Sequence, residues 1–133
     1  MKILLVDDDL ALQTVFQTTL KNAGYTTVTA NDGKTGLEKA KLEKPDLILL
    51  DQVLPDISGN EILKSLKSDE ATKNIPISIL SNFSQGELMQ EAIQLGAHDY
   101  ILKYQIEPQD LVNKVKTMLE EHKSSMEQKG VVL

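Results

Sequence analysis

Short apolar runs alternate along this chain with longer stretches in which apolar residues return at helical spacing. The runs are Ile3-Leu4-Leu5-Val6, Thr26-Thr27-Val28-Thr29, Leu47-Ile48-Leu49-Leu50, Ile77-Ser78-Ile79-Leu80 and Tyr100-Ile101-Leu102. Their length and β-branched content predict five strands, and their alternation with helical stretches predicts repeated βα units. The first and third runs are apolar throughout. A strand with one wet face would alternate, so these two are expected to be buried on both faces, in a parallel sheet with helices on each side.

The helical stretches carry their own punctuation. Leu12, Val15, Phe16, Thr19, Leu20 and Ala23 form one amphipathic stripe, which Gly24 ends. Ser58-Gly59-Asn60-Glu61 and Ser84-Gln85-Gly86-Glu87 have capping-box form, ahead of Ile62, Leu63 and Leu66 and of Leu88, Ala92 and Leu95. Pro108 suits a first helical turn, and Leu111, Val115, Met118 and Leu119 supply the last stripe. Gly33 and Gly36 lower the helical propensity of 33–42. From about Glu121 the apolar spacing fails, so 123–133 reads as a helix end or linker tail after a folded unit of 1–122.

Composition narrows the possible functions. With 133 residues, 41% hydrophobic, the chain suffices for one core and has no room for a second domain. Its net charge is −6 and all 14 basic residues are Lys. Without a basic field or a guanidinium fork, direct nucleic-acid binding is not expected. The absence of cysteine excludes disulfides, thiolate metal sites and thiol nucleophiles. The first apolar run stops at three aspartates, too short for a signal peptide, and no stretch approaches the length of a membrane span. A cytoplasmic protein with no membrane partner is expected.

In an open parallel sheet, ligands bind beyond the carboxyl ends of the strands. There the sequence places Asp7, Asp8 and Asp9 after the first run, Asp51 after the third, Ser81 after the fourth and Lys103 after the fifth. Asp9 also suits a helix N-cap. Converging carboxylates repel unless a cation compensates. Oxygen ligands with no His or Cys nearby favour Mg²⁺, which binds one or two carboxylates together with a phosphate. A carboxylate can itself accept a phosphoryl group, a transfer that needs chiefly in-line positioning and charge neutralisation.

These residues carry a resemblance. The chain from Lys2 to about His122 resembles the receiver domains of two-component response regulators, with the fold typified by chemotaxis regulators. Its landmarks are Asp7-Asp8-Asp9 after the first run, Asp51 followed by Pro55 and Gly59, then Leu80-Ser81, Tyr100 and Lys103. The separations match the family pattern: Asp51 lies 43 residues after Asp8, Ser81 30 after Asp51, and Lys103 22 after Ser81. The resemblance implies a doubly wound, flavodoxin-like α/β fold, (βα)5, with strand order 2-1-3-4-5. It implies Asp51 as phosphoacceptor. Asp8, Asp51 and the Val53 carbonyl would bind Mg²⁺ directly, and Asp7 would bind it through water. Ser81 and Lys103 would stabilise the phosphoryl group, and Ser81 and Tyr100 would form a switch pair. Met89, Ile93 and Tyr104, with Val112, are candidates for an output surface on the fourth helix, fifth strand and fifth helix. The donor would be a sensor histidine kinase or histidine phosphotransfer protein, and the receiver of the signal an output protein or effector domain. Such a domain works as a monomer or a phosphorylation-linked dimer, and catalyses only its own phosphorylation and slow dephosphorylation.

Three departures qualify the match. Tyr104 stands where the family usually has Pro, often across a cis bond. A cis bond before a non-proline residue costs about 3 kcal/mol, so a trans peptide is expected, with Lys103 aimed differently. Asn82 replaces a small residue and would narrow the approach to Asp51. Val53 and Phe83 are apolar beside the expected path of water, which predicts slow autodephosphorylation. A pseudo-receiver that binds partners without phosphorylation is one alternative. A haloacid-dehalogenase-type phosphohydrolase is another, suggested by Asp7-Asp8-Asp9 but opposed by Ala11 and by the lack of residues for a cap domain. Whether the chain stands alone in a relay or is a domain of a longer regulator is open.

Overall fold

The computed structural model describes residues 1–82 and 86–128. Strands β1 (Lys2–Val6), β2 (Thr26–Ala30), β3 (Leu47–Asp51), β4 (Ile77–Ser81) and β5 (Asp99–Leu102) form one parallel sheet, ordered β2-β1-β3-β4-β5. Helices α1 (Leu10–Asn22), α2 (Gly33–Glu43), α3 (Gly59–Ser68), α4 (Gly86–Gln94) and α5 (Pro108–Gln128) alternate with the strands. This is the doubly wound, flavodoxin-like α/β architecture expected.

Successive side chains of a strand point to opposite faces, and here both faces are covered. Leu4, Val6, Ile48, Leu50, Ile77 and Ile79 pack with Ala40, Ile62, Leu63, Leu66 and Ala92, under α2, α3 and α4. Ile3, Leu5, Leu47, Leu49, Leu80 and Ile101 pack on the other side with Leu12, Phe16 and Leu20 of α1 and Leu111, Val115, Met118 and Leu119 of α5. The unbroken apolarity of β1 and β3 is the sequence trace of these two cores. At the sheet edge, β2 is only half-buried for most of its length.

Local signals set the helix ends. Asp9 caps α1 by accepting the Leu12 N–H at 3.1 Å. At the other end Gly24 adopts φ +97°, a conformation that lets the Tyr25 N–H reach the Leu20 carbonyl at 3.0 Å. Ser58 caps α3 through the Glu61 N–H at 3.2 Å. Ser84 and Gln85, expected to start α4, lie outside the described residues. In α2 the glycines that weaken the helix are there for packing. A Cβ at Gly36 would lie 2.9 Å from Val6 Cγ1, so glycine lets this helix rest on β1.

One expectation is corrected. Val15 is 54% exposed, and Gln13 replaces it on the buried face of α1. Leu12, Phe16 and Leu20 fill the core along one i, i+4 row. Beside them Gln13 turns inward because the ends of β1 and β2 need donors. Its Nε2 donates to the Asp7 carbonyl, to the Ala30 carbonyl at 3.1 Å and to Asn31 Oδ1 at 2.8 Å. Helix α5 runs on past Glu121 to Gln128, with Met126 buried. Residues 120–128 contain no Gly or Pro and many good helix formers, so propagation outlasts the apolar stripe.

Candidate functional site

All five strands are parallel, so their carboxyl ends share one edge of the sheet. Asp7 and Asp8 follow β1, Asp51 and Ser81 end β3 and β4, and Lys103 follows β5. Register makes them level. Val6 is opposite Leu50, Asp51 opposite Leu80, and Ser81 opposite Leu102. Strand alternation then sorts them. Asp7, Asp51 and Lys103 continue the series of Ile3 and Leu5, Leu47 and Leu49, and Ile101, toward α1 and α5. Gln52, Ser81 and Tyr100 fall on the side of α2, α3 and α4.

The Lys103 ammonium bridges two buried carboxylates. Nζ donates to Asp7 Oδ2 and to Asp51 Oδ2, each at 3.1 Å, and all three side chains are at most 5% exposed. Asp7 Oδ1 also accepts the Asp9 N–H at 2.9 Å, and Asp51 Oδ1 the Val53 N–H at 3.3 Å. Asp8 is exposed beside them. Oxygens of Asp7, Asp8 and Asp51 all lie within 4.8 Å of one another. Asp8, Asp9, Asp51, Gln52, Val53, Ser81, Asn82, Lys103 and Tyr104 line the crevice above the sheet.

One ammonium cannot neutralise this cluster. Burial, and after it the charge of Asp7, push the Asp51 carboxyl up from 3.8 to about 6, against the pull of Lys103. Burial pulls the Lys103 pKa down, but the fields of Asp51 and Asp7 and the hydrogen bonds to both outweigh it and raise its pKa. The ammonium therefore persists at neutral pH while the carboxylates retain surplus negative charge. An all-oxygen cluster with that surplus fits a hard divalent cation.

The approach of α3 to this edge depends on Gly59. Its N–H donates to the Gln52 carbonyl at 2.8 Å, and a Cβ would overlap the Asp51 carbonyl oxygen and lie 2.7 Å from Gln52 Cα. No other residue allows α3 to begin so close to the acidic edge.

The remaining sequence candidates divide. Ser81 is buried at the crevice, and its carbonyl accepts the Lys103 N–H at 2.9 Å. Tyr100 is half-buried, and its hydroxyl donates to Gln52 Oε1 at 2.6 Å. Val53 is 69% exposed at the crevice rim, and Phe83 lies outside the described residues. Met89 is half-buried and Ile93 half-exposed on α4, and Val112 is partly buried on α5. None of these three lines the crevice, whereas Tyr104 does. The Lys103–Tyr104 peptide is trans, as expected. Across this peptide Lys103 reaches Asp7 and Asp51.

Two participants escaped the sequence reading, Gln13 beneath Asp7 and Gln52 against Tyr100, as did one contact, the Tyr104 hydroxyl donating to the Asp9 carboxylate. For Gln13 there was a signal, a polar residue adjoining an apolar helix row. For Gln52 and for the contact of Tyr104 with Asp9 there was none, because the partners are distant in sequence.

Comparison with known proteins gives a consistent likeness. The family model of the response regulator receiver domain matches residues 3–116. The alkaline phosphatase synthesis transcriptional regulatory protein PhoP of Bacillus subtilis is 38% identical over 89% of this chain and 48% of its own length. The phosphate regulon transcriptional regulatory protein PhoB of Pseudomonas aeruginosa is 37% identical over 88% of this chain and 51% of its own. The chain thus spans about half the length of these curated relatives. Among solved structures, a CheY-like receiver domain protein from Methanospirillum hungatei superposes with a TM-score of 0.87 and 30% identity, covering 93% of this chain and 97% of that one. The BeF3-activated receiver domain of RstA from Klebsiella pneumoniae gives a TM-score of 0.82 with 29% identity, covering 90% and 98%.

Proposed function

Since the chain belongs to the response-regulator receiver family, we propose that it is a signalling switch whose Asp51 accepts a phosphoryl group. The observation that supports this best is the Lys103 bridge between Asp51 and Asp7, 3.1 Å to each, beside the exposed Asp8. The chemistry then follows from the residues. An Asp51 carboxylate oxygen attacks phosphorus in line, forming a P–O bond as the donor's P–N bond breaks and the nitrogen leaves with the electron pair. Lys103, already against Asp51 Oδ2, shifts its hydrogen bonds to the incoming phosphoryl oxygens as a mobile point charge. Ser81, buried at the end of β4, supplies a hydroxyl to the same group. Asp7, Asp8, Asp51 and the Val53 carbonyl would hold Mg²⁺, Asp7 through water, and the ion, when bound, would neutralise phosphoryl charge that one lysine leaves uncompensated.

In this reading the donor is a sensor histidine kinase or histidine phosphotransfer protein. The chain catalyses only its own phosphorylation and slow dephosphorylation. Ser81 and Tyr100 form the switch pair, and Met89, Ile93 and Tyr104 belong to the surface that signals to an output protein or effector domain. Among the described residues no helix is long and apolar enough to cross a membrane. The pseudo-receiver alternative drew its weight from Tyr104 and Asn82, and Lys103 reaches both carboxylates with Tyr104 in place. The phosphohydrolase alternative remains opposed by Ala11 after the three aspartates.

The test is incubation with acetyl phosphate, with and without Mg²⁺, followed by intact mass, beside an Asp51→Asn control. One added phosphoryl group that needs both Mg²⁺ and Asp51 is expected. An adduct that survives Asp51→Asn would move the acceptor elsewhere.

A further inference from the structure

Tyr104 follows Lys103 in the turn after β5 and is 60% exposed, yet Lys103 is 5% exposed. Two carboxylates hold the ammonium from one side. On another side lies the Tyr104 ring, its centroid 5.5 Å from Nζ, within the range of a cation–π contact. The ring does not hang free, because its hydroxyl donates to Asp9 Oδ2 at the start of α1. Tyr104 and Asp9 line the crevice of Asp51 on one side. On the other they line the apolar groove formed by Ala11, Val15, Ile106 and Leu111, so the tethered ring is a wall between two cavities. The tether also has a consequence for the carboxylates. Asp9 Oδ1 takes the Leu12 N–H and Oδ2 takes the tyrosine hydroxyl, which withdraws the third of three consecutive aspartates from the cluster of Asp7, Asp8 and Asp51.

We propose that Tyr104 is a positioning residue: tied to Asp9 by its hydroxyl, it roofs Lys103 with its ring and holds the ammonium against Asp51 and Asp7. This rests on the phosphoacceptor reading for its meaning, but not for its test. With no proline ring after Lys103 to restrict φ, the Tyr104–Asp9 hydrogen bond ties the turn after β5 to the start of α1 through a side chain. Roofing is local, so its loss exposes one lysine and leaves the fold intact.

Trace acetylation of the lysines, read by peptide mass, tests this on wild type, Y104F and Y104A. Y104F keeps the ring and loses the tether; Y104A loses both. Modification of Lys103 relative to exposed Lys116 is expected to rise about fivefold in Y104F, the worth of one hydrogen bond. In Y104A it is expected to rise about tenfold or more, with the ring contact added. Partly buried Lys67 serves as the control for general loosening. Equal labelling of Lys103 in all three proteins, or a parallel rise at Lys67, overturns the role of Tyr104. Acetyl phosphate treatment of the same proteins keeps the two readings apart. No Asp51-dependent adduct on wild type counts against the acceptor reading alone, whereas equal rates of adduct formation in wild type and Y104A count against the positioning role alone.

Discussion

Asp51 is placed where its charge is unfavourable. Its carboxyl rises from 3.8 to about 6 through burial and the neighbouring Asp7. A carboxyl whose folded pKa is raised binds its proton more tightly in the folded state than in the unfolded one. The stabilisation it contributes is complete below the unfolded value and is lost as pH rises through about 6. Metal-free protein is therefore expected to lose up to about 3 kcal/mol between pH 4 and pH 7, measured by urea denaturation across that range. In Asp51→Asn this part of the pH dependence should flatten and stability at pH 7 should rise. An unchanged pH profile would mean that Asp51 ionises without strain. At this scale the sequence exposed the acidic and basic residues, since each follows an apolar run. It did not expose Gln52 or the contact of Tyr104 with Asp9, which rest on partners 48 and 95 residues away.

At the scale of elements, the strands and most helix ends followed from local signals: apolar runs, caps at Asp9 and Ser58, and the positive φ of Gly24. Gly59 is different, because its necessity lies in another element. Gly59→Ala is expected to destabilise the protein by about 1–3 kcal/mol, as overpacking against the Asp51 carbonyl pushes α3 from the end of β3. It should also slow phosphorylation from acetyl phosphate, because Asp51 and Gln52 move with the displaced backbone. Full activity and stability would show that the helix shifts without disturbing the strand. The apolar stripe misplaced Val15, and it does not by itself set where α5 ends. Periodicity reports which face can be buried, whereas the neighbouring carbonyls and the continuity of the helix decide what is.

For the whole molecule, binding of a divalent ion to the carboxylates adds stability by mass action. At a Mg²⁺ concentration 100 times its dissociation constant, a gain of about 2.7 kcal/mol is expected, read as an upward shift in melting temperature. Asp8→Asn should shrink that shift and Asp51→Asn should nearly abolish it; a shift equal in all three proteins would place the ion elsewhere. By itself the sequence determined the alternation of strands and helices, the burial of β1 and β3 on both faces and the set of residues at the strand ends. Those are consequences of short-range pattern: side chains alternate every residue in a strand, and caps and glycines act within one turn. Only the tertiary structure decided that Lys103 reaches Asp7 and Asp51 across a trans peptide, that Asp9 is held by Tyr104, and that Gln13 and Gly59 support the acidic edge. Each of these depends on which strands become neighbours and in what register, and the pairing of β1 with β3 and β3 with β4 joins segments that local pattern leaves unrelated.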